Sequence, residues 1–196
     1  MLAPRIFTLC LVLSLALQSA SAAGQSEQHA FWERLSALCG QAFSGQMTGF
    51  SRPSDEGWLD REVIMHVSEC SDSEIRIPLH VGENRSRTWV LTRIDQGFRL
   101  KHDHRHQDGS EDDVTWYGGH TTDPGRAWRQ TFPVDDYSKA LFLANGLEVS
   151  VGNFWSMEVH PDQKFAYELV RAGRLFRAEF DLSNPVEPPP APWGHE

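Results

Sequence analysis

The sequence predicts a mainly β fold, an antiparallel up-and-down barrel of about eight to ten strands with an N-terminal helix. Three observations carry this. Apolar residues alternate with a period of two through most of the chain from Arg61 to Leu182, short turn sequences separate the runs, and no helical stretch is long enough to connect parallel strands. So many consecutive hairpins expose edges unless the sheet closes or folds over itself, which leaves a β-sandwich as the alternative.

Composition fits one folded domain. The 196-residue chain is 40% hydrophobic, and its seven Trp and eleven Phe suffice for a core of ordinary size. A net charge of -9 argues against nonspecific binding to nucleic acid or to anionic membranes, which need clustered positive charge.

Residues 1–22 read as a secretory signal. Arg5 supplies the positive end, Ile6 to Leu17 the apolar run, and Ala20-Ser21-Ala22 the small-residue cleavage site. The apolar run is shorter than the roughly 20 residues a membrane span needs. Cleavage after Ala22 would leave no span and would place the protein in the periplasm or outside the cell. It would also leave two cysteines, Cys39 and Cys70. In an exported chain such a pair reads as a disulfide, and a loop of about thirty residues would contribute roughly 3–4 kcal/mol.

From Ser26 to Cys39, Phe31, Trp32, Leu35 and Leu38 recur at helical spacing and Gly40 follows as a stop, so this segment is expected to be an amphipathic helix packed on the core. Strands are then expected at Arg61–Glu69, Glu74–Val81, Arg87–Ile94, Phe98–His106, Val114–Gly118, Ala127–Phe132, Gly146–Val159, Phe165–Val170 and Leu175–Leu182. Residues 134–145 form the one longer connection, with room for a short helix. The barrel domain therefore covers residues 23–183. Five prolines after Asn184 predict an extended, mobile tail over 184–196 without regular hydrogen bonding.

The segment from Phe98 to His106 is the most informative. As a strand it carries Phe98, Leu100, His102, His104 and His106 on one face, and Arg99, Lys101, Asp103 and Arg105 on the other. The charges mark the second face as solvent, so the histidines should point inward or line the rim. Two imidazoles about 6–7 Å apart can reach one zinc or copper ion. His106, or His120 across the hairpin, would supply a third ligand. An activated water with Glu111 or Asp113 as base gives the metal-dependent hydrolase version. A solvated histidine row balanced by the acidic turn is the plainer alternative.

Asn153 is the polar exception in the apolar series from Leu147 to Val159, so a ligand is one partner it could meet. Arg93 and Trp116 join it as candidate ligand contacts. Tyr117-Gly118-Gly119-His120 reads either as a close backbone approach or, more simply, as a bulge or turn.

The stretch Lys101 to Asp112, with Val81-Gly82 and Ser86 to Thr92 upstream, resembles a group of small bacterial secreted proteins to which no activity is attached. The architecture is similar to lipocalin-like barrels, although Gly40-Gln41-Ala42-Phe43 stands where a lipocalin opens its first strand with Gly-x-Trp. The resemblance implies bacterial export. The functional expectation is a noncatalytic barrel binding a small ligand or metal ion. The alternatives are the hydrolase and a cell-envelope interaction protein with a solid barrel.

Overall fold

A computed structural model describes residues 24–51 and 53–195; the expected signal lies outside the described residues. Helix α1 (residues 24–36) is followed by β1 (Ala42–Phe50), the 3-10 segment η1 (Pro53–Trp58), β2 (Val63–His66), β3 (Glu69–Cys70) and β4 (Glu74–Val81). Next come β5 (Asn84–Ile94), β6 (Gly97–His104), β7 (Tyr117–His120) and β8 (Arg129–Pro133). Helix α2 (Asp136–Ala144), the 3-10 segment η2 (Glu148–Gly152), β9 (Phe154–His160), β10 (Lys164–Arg171) and β11 (Arg174–Val186) complete the order.

All pairings are antiparallel, and ring neighbours are almost always sequence neighbours: the order is β7-β6-β5-β4-β2-β1-β11-β10-β9-β8, with β3 attached to β4. The sheet is an up-and-down barrel, nearly closed. Its seam lies between β7 and β8, where Gly119 bridges to Val134 and the Asp135 N–H donates to the Gly118 carbonyl. The glycine pair serves this approach rather than a turn. A Cβ on Gly118 would sit 1.9 Å from the Leu100 oxygen, and one on Gly119 would sit 1.9 Å from the Pro133 oxygen.

Helix α1 covers one end. Phe31, Trp32 and Leu35 are buried, and Trp32 stacks on Phe98 with ring centroids 5.7 Å apart. Cys39, in the turn after α1, is disulfide-bonded to Cys70 of β3. Below the middle the interior is solid. Trp89 stacks on Tyr167 at 4.4 Å, and Phe165 and Phe180 pack edge-on beside them. Burying this aromatic layer supplies much of the apolar stabilisation.

Four expectations need correction. Strand β1 had no place among the expected runs because its ladder shifts register beside Gly45 and Gly49, which breaks the alternation. The expected strand over Gly146–Val159 starts only at Phe154; before it the chain ends α2 and forms η2, leaving Val149 exposed. Strand β11 continues through Pro185 to Val186, because beyond Asp181 it pairs with β1 alone and a proline is tolerated there. The rest of the tail is not free. Arg85 donates to the Ala191 carbonyl at 2.8 Å, the Trp193 N–H to the Arg85 carbonyl at 3.2 Å, and Gly194 lies against Gly109.

Candidate functional site

Strand β6 runs from the α1 end to the opposite mouth, so its inward residues change from Phe98 and Leu100 to His102 and His104. His102 is buried. Its Nδ1 lies 3.1 Å from the Tyr117 carbonyl oxygen, which can only accept, so that nitrogen carries the proton. Nε2 therefore accepts, and the Tyr167 hydroxyl donates to it at 2.7 Å. One turn of the pleat further, the Tyr117 hydroxyl and His104 Nε2 are 3.2 Å apart. Burial, reinforced by the neighbouring His104, lowers the His102 pKa to about 3. Burial and then Arg87 lower that of His104 to about 4. Burial pushes Tyr117 up to about 12 and Tyr167 well above its ordinary value. All four groups are neutral at pH 7.

Above this layer a cavity of about 300 Å³ opens at the mouth, walled by His104, Tyr117, Trp155, Tyr167, Asn153 and Leu169, with Arg171 and Arg174 at its edge. The side chains are held from behind. Arg171 donates to Asn153 Oδ1 at 2.8 Å, and Arg174 makes a two-pronged ion pair with Asp55 of η1, its Nη2 2.8 Å from Oδ1. Arg87, opposite His104 in the β5–β6 ladder, packs over Trp58 of η1 with its guanidinium carbon 5.4 Å from the ring centre.

The structure separates the four candidate metal ligands. His102 and His104 share the inward face as expected, but His106 is exposed in the turn, and His120 is exposed and pairs with Arg99. Parity explains the last misplacement, since Arg99 belongs to the outer face. Both His102 nitrogens are engaged, and among the described residues no three His, Cys, Asp or Glu side chains are placed to hold a metal ion.

Neither proposed base is at the site. Glu111 is exposed and bonded to Arg105 and to the Trp116 indole N–H, Asp113 is exposed, and it is Asp112 that lines the cavity. Of the three candidate ligand contacts only Asn153 reaches the cavity. Trp116 is turned to Glu111, and Arg93 lies over Trp32 at the α1 end.

The outer face of β6 also departs from expectation. Asp103 is fully buried, bonded to Arg105 Nε at 2.8 Å, with His195 Nε2 of the tail 3.1 Å away. Sequence reasoning missed Arg87, Tyr167, Arg171 and Arg174. The signal was present: Arg87 shares parity with Trp89 and Leu91, and Tyr167 and Arg171 share it with Phe165 and Leu169. Compared with protein-family models, curated proteins and solved structures, the chain has no match.

Proposed function

We propose that the protein is an exported, noncatalytic barrel that binds a small molecule in the mouth cavity. The observation that supports this most directly is the change in the interior along the axis. Packed aromatics give way to about 300 Å³ of space walled by oriented Tyr, His and Asn side chains together with Leu147, Trp155 and Leu169. That combination is typical of small-ligand sites, and the volume is near their lower limit. Export is supported by the signal-like N-terminus and by the disulfide, which persists in oxidising compartments.

The test is a thermal-shift screen of small acids, amines and neutral molecules on the full chain and on Leu147→Trp, which fills the cavity. Ligands are expected to raise the melting temperature of the first and not of the second. No shift from any class, or equal shifts in both proteins, would overturn the proposal.

A noncatalytic envelope interaction protein is the second reading. It draws on the filled lower interior and on the exposed row of Phe154, Val170 and Leu175, adjacent across β9, β10 and β11. Failure of the screen would favour it.

A further inference from the structure

We infer that the outer wall of β4, β5 and β6 is a seat for a proline-rich peptide: in a single molecule the chain's own tail fills it, and in a second mode two molecules pair by exchanging tails. The mouth cavity plays no part in this. The occupant of the seat is seen in place. The Arg85 guanidinium of β5 donates to the Ala191 carbonyl at 2.8 Å, and the Trp193 N–H donates to the Arg85 carbonyl at 3.2 Å. His195 Nε2 lies 3.1 Å from Oδ2 of Asp103, a fully buried carboxylate on β6. At the turn after β6 the two backbones touch because both partners are glycines: a Cβ on Gly194 would stand 2.9 Å from the Gly109 oxygen.

The tail is laid on the wall rather than woven into it. Residues 187–195 belong to no strand. Pro188, Pro189, Pro190 and Pro192 lack the N–H a ladder needs and favour an extended chain, and a turn follows in which the His195 N–H donates to the Pro192 carbonyl at 3.1 Å. The fit is incomplete. Pro189, Pro190 and Trp193 share with Ile64 and His80 a cavity of about 520 Å³, and His80 Nε2 is buried without a hydrogen-bond partner among the described residues. An orphaned buried nitrogen costs free energy in the closed state, so a few polar contacts hold the tail against a standing penalty.

A second copy is the partner because its tail is the same peptide. Each contact made within one chain can be made between two, so exchange needs no new complementary surface. The extended part, residues 187–192, spans roughly 19 Å at about 3.1 Å per residue, and a hinge just after Val186 therefore carries Trp193 and His195 clear of their own wall. At dilution the tether favours the closed single molecule, since a short linker supplies an effective concentration of about 1 mM.

The test uses the full chain and a synthetic peptide with the sequence of residues 187–196. Sedimentation of the full chain from about 10 µM to about 1 mM should show a dimer growing in at the upper end, and an excess of the peptide should dissolve it by filling the seats. Calorimetry with the chain truncated after Val186 should find the peptide binding at roughly 10–100 µM, the affinity implied by a tail about tenfold to hundredfold closed at that effective concentration. Binding should move the NMR signals of the His80 imidazole, and the His195→Ala peptide should bind more weakly. No peptide binding, or equal binding of a scrambled peptide, would overturn the seat. Peptide binding with a full chain that stays monomeric throughout would overturn the exchange and leave the seat to a proline-rich segment of another protein. A dimer that excess peptide leaves intact would also overturn the exchange, and this measurement stands even if the truncated chain does not fold.

Discussion

The Tyr167 hydroxyl donates to His102 Nε2 at 2.7 Å across the barrel interior, and this bond forms the floor of the mouth cavity. It lies between two strands that are far apart in the ring, β10 and β6, and both partners are shut off from water. Replacing Tyr167 by Phe leaves a buried imidazole nitrogen without a donor. The expected loss is about 1–3 kcal/mol in urea unfolding. The double variant Tyr167→Phe, His102→Leu should be less destabilised than the sum of the single changes, because the orphaned nitrogen leaves with the histidine. Strict additivity would show that the pair is not coupled.

Acid should erode stability in two stages. Burial lowers His102 to about 3, and His104 and His80 to about 4, from the ordinary 6.5. Between 6.5 and those values the unfolded chain binds protons that the folded chain refuses, so stability falls as pH drops through this window and is unaffected above it. Glu158 acts in the same direction lower down. Burial opposes its charge, but Arg177 and then Arg129 outweigh this and hold its carboxyl at about 2 instead of 4.5. Its contribution is complete above 4.5 and is lost as pH falls toward 2. Urea midpoints measured from pH 8 to pH 3 should be level above 7, decline below 6.5 and fall more steeply below 4.5. A plateau between 6.5 and 4.5 would contradict the buried neutral histidines.

The tail should protect the outer face. Pro189, Pro190 and Trp193 share a cavity wall with His80, which is 4% exposed with its Nε2 unbonded, while His195 meets the buried Asp103. Truncation after Val186 should raise the His80 pKa from about 4 toward 6.5, read from its imidazole NMR signals, since burial is the main cause of its depression. Stability should drop by about 1–3 kcal/mol as the buried Asp103 loses the hydrogen-bond partner that His195 provides. An unchanged His80 titration would mean that the sheet alone buries it.

The seam between β7 and β8 leaves no room for a side chain. Gly119→Ala should cost about 3 kcal/mol by forcing the Pro133 carbonyl away. Amide exchange should quicken first at Val134 and Asp135, and wild-type protection there would show that the seam adapts.

The Cys39–Cys70 bond closes a loop of separation 31 and ties the turn after α1 to β3. The Cys39→Ser, Cys70→Ser protein should lose roughly 3–4 kcal/mol in denaturant unfolding. A loss much below this would mean that packing of Phe31, Trp32 and Leu35 alone holds the helix end.

Sequence by itself determined the barrel, the helix that covers one end, the disulfide and the inward face of β6. Each follows from a local period or count: two residues for a strand, three to four for α1, an even cysteine pair, and the shared parity of Phe98, Leu100, His102 and His104. Tertiary structure decided which polar groups meet. Tyr167 reaches His102 only because the sheet curls until β10 faces β6, and Arg174 joins Asp55 only because η1 folds back over the mouth. His120 lost its place beside the other histidines through ladder register, and Asp103 became buried when a proline-rich tail, which has no period to read, returned to cover it. A net charge of -9 describes the chain as a whole. Only closure of the barrel brings Arg171 and Arg174 beside Asp112 and Asn153 at one end, because electrostatic environment depends on distances between strands that sequence spacing does not encode.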